Sequence, residues 1–119
     1  MTIGGLKDQL RKLTHDLEVR YDFCGRVPSR IHSWLGLYRH PALDHRDPTL
    51  KALTVAELLQ ILEEATDGRT FKGYRGGDYN FEDTDELHID NYGEYTNTEL
   101  VFISHDTDQV ILHTTTEPL

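Results

Sequence analysis

The sequence has a single cysteine, no long apolar run, and no lysine or arginine in its last third. Cys24, the one cysteine, excludes an internal disulfide and fits a reducing compartment. No apolar run approaches the length of a membrane span. The first residues also lack the charged and apolar segments of a signal peptide. We therefore expect a soluble cytoplasmic protein that does not associate with a membrane.

Charge is divided unevenly along the chain. The net charge is −9, yet all 12 Lys and Arg lie at or before Arg75, whereas residues 76–119 hold 11 acidic residues. A negative chain argues against general nucleic-acid binding, which relies on a cationic surface. An anionic ligand is instead expected on the first part, where residues 20–46 contain five arginines. The acidic part either keeps the protein in solution or imitates DNA to block a DNA-binding protein.

Two segments have the patterns of helices. Apolar residues recur at three- and four-residue steps over about residues 3–20, which predicts a first amphipathic helix. Thr54 and Glu57 have the spacing of a capping box, in which each side chain bonds the backbone of the other. A second helix is therefore predicted at about 55–66, and it should end near Gly68 because glycine often follows the last helical turn.

The rest of the chain divides into an irregular part and a sheet-forming part. Residues 21–50 form an irregular basic segment that prolines interrupt, while residues 70–116 are sheet-forming. Strands are predicted near 30–37, 71–74 and 87–92 and in a hairpin at 99–115, followed by a loose tail at 117–119. The hairpin strands are apolar on both faces, so they should be central in a sheet or covered by another subunit. The predicted fold is a single small α+β domain with two helices and an antiparallel sheet.

One short run concentrates the residue types of a nucleotide site. Residues 71–81 read Phe-Lys-Gly-Tyr-Arg-Gly-Gly-Asp-Tyr-Asn-Phe, and Asn91 precedes Tyr92 and Gly93 about ten residues later. Glycine lets a backbone approach a ligand, aromatic rings stack on bases, and cations bind phosphates. The run is not a P-loop, because it lacks the Gly-Lys-Ser/Thr ending. The alternative interpretation is a glycine-rich turn whose aromatic residues serve packing.

Other residue groups are weaker candidates for a site. The histidines and aspartates of residues 40–47 match no standard metal-ligand spacing, and the prolines there predict a loop. His113 begins a His-x-Thr motif like that of cyclic phosphodiesterases, which need two such motifs facing each other. Cys24 is either a nucleophile paired with a histidine or a partly buried packing residue. We therefore predict no catalytic residue, no metal and no cofactor.

The order of these features resembles a family of small phage proteins, the type 1 Thoeris anti-defence proteins. That family is rich in Gly-Tyr-Lys/Arg-Gly-Gly-Asp/Glu-Tyr/Phe followed by Tyr-Gly, which matches residues 73–79 and 92–93. The resemblance covers about residues 53–113 and extends loosely to residues 33–43. It implies a sponge, which is a protein that binds a cyclic ADP-ribose isomer tightly and leaves it intact. Bacterial Thoeris defence makes that isomer as an alarm signal.

The resemblance also implies which residues bind the ligand. The expected site combines aromatic, amide and cationic side chains: Phe81, Asn91, Arg75, Tyr74, Arg30 and Arg39. In this site Phe81 stacks on adenine, Asn91 makes a polar contact, and Arg75 contacts a phosphate. The chain departs from the family pattern at Leu35, where an arginine is expected, and in its last strands, which lack a cation. Phosphates are therefore expected either to meet Arg30 or Arg39 or to be held more weakly.

These observations predict a binding protein rather than an enzyme. Its ligand is expected to be a cyclic ADP-ribose isomer or another cyclic nucleotide signal, met in the cytoplasm of the infected bacterial host. Family members form dimers or hexamers, so a homodimer or hexamer is expected as well. Two other functions stay open. One is an acidic inhibitor that imitates DNA or masks a host protein, and the other is a small cyclic-nucleotide phosphodiesterase that uses the histidines.

Overall fold

The computed structural model describes residues 1–33, 40–68, 71–72, 78–90 and 96–118. Within these ranges the chain forms two helices and eight strands. The helices are α1 (Ile3–Arg11) and α2 (Val55–Ala65). The strands are β1 (Glu18–Tyr21), β2 (Ile31–Ser33), β3 (Pro41–Leu43), β4 (Phe71–Lys72), β5 (Asp78–Tyr79), β6 (His88–Ile89), β7 (Thr96–His105) and β8 (Gln109–Pro118). Buried apolar side chains of both helices and of the sheet meet in a hydrophobic core.

The main sheet has six strands in the order β1-β8-β7-β6-β3-β2. β1 pairs with β8 and β3 pairs with β6 in parallel, whereas the other neighbours are antiparallel. β4 and β5 form a separate antiparallel pair. The predicted α+β class with two helices is confirmed, but the sheet is mixed rather than antiparallel throughout. The parallel pairs arise because long connections carry the chain back to the same edge, as parallel pairing requires.

The first helix is shorter than the predicted span of residues 3–20. α1 ends at Arg11, and Leu17 N then donates to Thr14 O at 3.3 Å to close a turn before β1. Val19 N donates to Leu53 O at 2.9 Å, so the extended segment is tied to the chain that precedes α2. The apolar spacing continues past the helix because Leu17 reaches the same core from a different element. Tertiary pairing overrides the local pattern here.

The second helix follows the prediction closely. Thr54 Oγ1 accepts from Glu57 N at 3.2 Å, and Thr54 N donates to Glu57 Oε1 at 3.0 Å, which is the predicted capping box. Gly68 has a φ of +76°, the left-handed conformation that glycine adopts without strain. The core face of α2 consists of Val55, Leu58, Leu59, Leu62 and Ala65. Neither helix of the described chain is long and apolar enough to span a bilayer.

The predicted C-terminal hairpin is confirmed, and it is longer than predicted. β7 and β8 lie inside the sheet, flanked by β6 and β1. A shift of register between Leu100 and Phe102 marks a bulge. Glu117 pairs with Asn97 and Pro118 pairs with Thr96, so the prediction of a loose tail is wrong for these two residues. Leu119 lies outside the described residues.

The short strands agree with the predictions in part. β2, β4 and β6 fall within the predicted spans 30–37, 71–74 and 87–92. The residues directly after β2 and β4 lie outside the described ranges, and β6 is followed by the described Asp90 and then by residues 91–95, which lie outside them. β3 lies where a loop was predicted, and its three residues are buried between β2 and β6. Pro41 is compatible with this strand because it is the first residue, a position where proline is tolerated.

Candidate functional site at the edge of β3

The described chain contains part of the predicted ligand site. Arg30 and Phe81 are described, whereas the other predicted residues lie outside the described ranges: Tyr74, Arg75, Arg39 and Asn91. The segments that flank those residues are described, however. They are β2, the strands β4 and β5 on either side of residues 73–77, and the end of β6 just before Asn91. The geometry of these segments defines the candidate site.

One edge of the sheet collects polar residues from three strands. The register places the start of β2 beside the ends of β3 and β6. Asp44 N donates to Arg30 O at 3.1 Å, and Asp90 N donates to Leu43 O at 2.8 Å, which fixes the residues that flank these strands side by side. We call the residues at these strand ends the β3 edge. They are Arg30, Asp44, His45, Arg46 and Asp90.

Asp44 is the buried centre of the β3 edge, with 1% of its side chain exposed. Its Oδ1 accepts from Ser29 N at 2.7 Å and from Arg30 N at 2.9 Å, and its Oδ2 accepts from Ser29 Oγ at 2.6 Å. Arg30 Nε and Arg46 Nη1 each lie 3.9 Å from Oδ2. A buried carboxylate needs such partners, because an unpaired charge is costly inside a protein. Asp44 therefore joins the turn before β2 to the end of β3 and holds two guanidinium groups near one point.

Within the β3 edge, His45 forms a hydrogen bond with the backbone of Asp90. Its Nδ1 accepts a hydrogen bond from Arg26 Nε, and its ring donates to the Asp90 carbonyl. The rings of Tyr21 and Phe23 approach it edge-on, at centroid distances of 6.4 and 5.2 Å. Burial, and after it the charge of Arg26, lowers the pKa of His45, and the opposing effect of the nearby aspartates is smaller. The edge is therefore built around a neutral imidazole.

The exposed part of the β3 edge is cationic. The side chains of Arg30 and Arg46 are 70% and 48% exposed. Both carboxylates are buried, since Asp44 is 1% and Asp90 9% exposed, and Asp90 Oδ2 lies 3.2 Å from His32 Nε2. A ligand that approaches this edge meets guanidinium groups first. The arrangement is suited to binding an anion.

The two short strands on either side of residues 73–77 are described, and one of them lies near β2. β4 and β5 pair with each other, with Phe71 opposite Tyr79 and Lys72 opposite Asp78, so the two ends of the run lie together. β4 also contacts β2, the strand that Arg30 precedes. The two short strands that flank residues 73–77 therefore pair with each other, and β4 lies near the strand that follows Arg30. Sequence alone could not predict this proximity, because about forty residues separate the two segments.

Phe81 lies in the hydrophobic core. Its side chain is 2% exposed, and it belongs to the same cluster as the buried residues of α1 and α2. Packing therefore explains the presence of an aromatic residue at this position. Stacking on a base would require the ring to be uncovered, and the role of Phe81 in binding stays a prediction.

The His-x-Thr motif does not assemble a two-histidine site. A second copy is present, because His105, Asp106 and Thr107 follow the same pattern as residues 113–115. His105 pairs with the core-facing Val110, whereas His113 pairs with the exposed Phe102, so the two histidines point to opposite faces of the hairpin. Strand side chains alternate between faces, which separates the two imidazoles.

His113 also lies between a serine and an aspartate, but the resulting set is incomplete as a catalytic triad. Its Nε2 is 2.7 Å from Ser104 Oγ, and its Nδ1 is 3.9 Å from Asp22 Oδ2. The second distance is too long for a hydrogen bond, and the Asp22 carboxylate instead accepts from Thr114 N and Oγ1 at 3.0 and 2.8 Å. The imidazole stacks on Phe102 with ring centroids 4.1 Å apart. Packing and sheet pairing account for this set.

The remaining candidate features do not form a second anion site. Among the described residues, no group of three or more His, Cys, Asp or Glu is arranged to hold a metal ion. Cys24 is exposed and has a φ of +52°, so it is not the buried packing residue considered above. A cavity of about 890 Å³ lies between the end of α1 and the β7–β8 turn, and its lining includes Asp16, Asp106 and Asp108. Carboxylates would repel a phosphate there.

Sequence reasoning missed most of the β3 edge. The arginine-rich composition of residues 20–46 includes Arg30 and Arg46, but Asp44 and His45 were considered only as possible metal ligands, and among these residues only Arg30 was predicted to bind the ligand. A signal was present in the sequence, because Asp-His-Arg follows directly after a short apolar segment. Charged residues that follow a strand often face solvent at the end of a sheet. Comparisons with protein-family models, with curated proteins and with solved structures found no match.

Proposed function

We propose that the protein binds and sequesters a cyclic ADP-ribose isomer, or a related cyclic nucleotide signal, without cleaving it. In this proposal it acts as a phage anti-defence protein in the cytoplasm of the infected bacterium. The ligand combines an anionic phosphate part with an aromatic base. Two features support this match, since the guanidinium groups of Arg30 and Arg46 are exposed, and β4, which begins a run rich in glycine and aromatic residues, contacts β2.

One observation carries the proposal, namely the contact between β4, which begins the glycine-rich run, and β2, which Arg30 precedes. Asn91 is the next residue after Asp90, whose amide is fixed by Leu43 O at 2.8 Å. The three sequence features assigned to the ligand are therefore attached to one part of the sheet. They are the run itself, Arg30, and the segment that begins at Asn91.

A sponge requires affinity and no turnover, and the β3 edge suits that requirement. Its carboxylate Asp44 is saturated with hydrogen bonds, and its imidazole His45 already bonds Arg26 and the Asp90 backbone. Groups that are fixed in this way are pre-organised for binding, because little conformational freedom remains to be lost. A second copy of the chain, as in a homodimer or hexamer, is part of the proposal because such assemblies commonly place a ligand between subunits.

Calorimetric titration tests the proposal. The purified protein is titrated with cyclic ADP-ribose isomers and with cyclic oligonucleotides, and adenosine monophosphate serves as the control ligand that lacks the closed ring. We expect saturable binding of at least one cyclic ligand with a Kd below about 1 μM, equivalent to roughly 8 kcal/mol, and much weaker binding of the control. Absence of heat with every cyclic ligand at micromolar protein would refute the proposal.

A further inference from the structure

We propose that Arg30 and Arg46 form a phosphate-binding pair that the buried carboxylate of Asp44 holds in place. The proposal deepens the function given above and rests on it for the identity of the natural ligand. The ligand chemistry that it names is a phosphodiester or pyrophosphate group.

The two guanidinium groups lie near the same carboxylate oxygen, but at a distance longer than a hydrogen bond. Arg30 Nε and Arg46 Nη1 are each 3.9 Å from the same oxygen, Asp44 Oδ2, so these nitrogens lie at most about 8 Å apart. A distance of 3.9 Å is longer than a hydrogen bond. Within the described chain, the guanidinium N–H donors on both side chains thus stay available for an anion, and a phosphate between them would accept from both.

Asp44 orients the pair without neutralising it. Its oxygens accept hydrogen bonds from Ser29 N, Ser29 Oγ and Arg30 N, and 1% of its side chain is exposed. The carboxylate therefore fixes the backbone from which Arg30 projects, while an incoming anion meets the two cations. With Asp44 and Asp90 buried and the neighbouring Asp47 exposed, the exposed charges at this edge are two guanidinium groups and one carboxylate, which leaves a positive local field. Arg26, which bonds His45 on the same edge, adds to that field.

Asp44 also explains why these arginines are suited to binding although they are exposed. A free arginine side chain loses rotamer freedom when it binds a ligand, and this loss opposes affinity. Here the attraction of one fixed carboxylate restricts both side chains before a ligand arrives. β4, the first strand of the glycine-rich run, contacts β2, which follows Arg30.

Inorganic pyrophosphate is the probe for the pair, and NMR amide shifts are the readout. In the unmodified protein, we expect saturable shifts for residues 29–31 and 44–46. Arg30→Gln with Arg46→Gln should weaken binding about tenfold or more, since it removes both groups that would make charge-assisted hydrogen bonds to the phosphate. The matched control is Arg11→Gln with Lys12→Gln, which removes the same charge from the end of α1 and should change the Kd less than about twofold. Arg30→Lys with Arg46→Lys keeps the charge and should restore part of the affinity.

Each result supports or overturns the phosphate site or the proposed function. Equal weakening in both Gln pairs would show general charge attraction and overturn the site, as would unchanged binding in the Arg30/Arg46 variant. A second titration with the cyclic ADP-ribose isomer separates the two proposals. If pyrophosphate binds the pair and the isomer does not bind, the phosphate site stands and the proposed function fails. If the isomer binds equally well with and without both arginines, the proposed function stands and the phosphate site fails.

Discussion

At the scale of single residues, the β3 edge depends on His45 being neutral. Its Nδ1 can accept a hydrogen bond from Arg26 only while that nitrogen carries no proton. Protonation would replace an acceptor with a cation that faces a guanidinium. The lowered pKa of His45, which burial and Arg26 cause, keeps this contact intact near neutral pH.

The stability of the protein should depend on pH through His45. A lowered pKa means that the folded chain binds fewer protons than the unfolded chain between pH 6.5 and the folded pKa. The free energy of unfolding should therefore fall as the pH drops through 6.5 and level off below the folded pKa. We expect urea unfolding at about pH 7.5 and about pH 5 to show a smaller decrease for His45→Gln than for the unmodified protein. An identical decrease in both would contradict the assignment of the effect to His45.

At the residue scale, the anion site expected from the sequence stays a prediction, and the sequence did not indicate which residues lie together. The arginines of residues 20–46 indicated an anion site, and Arg30 is indeed exposed at a cationic edge. Asp44 and Arg46 escaped prediction because the strand register, rather than any local pattern, brings them beside Arg30. Phe81 was predicted to face a ligand, yet its ring is 2% exposed. An aromatic residue near a glycine-rich run has the same local sequence pattern whether its ring packs in the core or binds a ligand.

At the scale of elements, the capping box of α2 gives a direct stability prediction. Thr54→Ala removes the oxygen that accepts from Glu57 N at 3.2 Å, and loss of such a cap typically costs about 1 kcal/mol. The midpoint of urea unfolding should fall accordingly. Thr54→Ser is the matched control because it keeps the hydroxyl, and it should lie within a few tenths of a kcal/mol of the unmodified protein. Equal losses in both variants would instead point to packing of the threonine methyl group.

Elements with local signals were predictable, and those set by distant contacts were not. The cap at Thr54 and Gly68 delimit α2, and the turn at residues 104–108 marks the hairpin. α1 and β1 differ, because Leu17 continues a helical spacing but its segment bonds to the residues before α2. The parallel pairing of β1 with β8 and of β3 with β6 has no sequence signature within either strand. The mixed sheet could therefore be recognised only from the structure.

At the scale of the whole molecule, the uneven charge of the sequence becomes a separation in space. Asp106 and Asp108 lie at the β7–β8 turn, and the pairing of β6 with the start of β7 places the β3 edge toward the other end of the hairpin. Arg30 and Arg46 are exposed at the β3 edge, whereas Asp106 and Asp108 are exposed at the turn. This polarity favours a small anionic ligand, and it gives a protein of net charge −9 a local cationic surface.

Recovery of a bound ligand tests the central claim most directly. The protein is mixed with a cyclic ADP-ribose isomer, freed of unbound ligand by gel filtration, denatured by heat, and the released small molecule is identified by mass spectrometry. The proposed function predicts that the isomer is retained through gel filtration and is released chemically intact. Release of a cleaved product would indicate a phosphodiesterase. Absence of any retained small molecule would contradict the claim that the protein is a sponge.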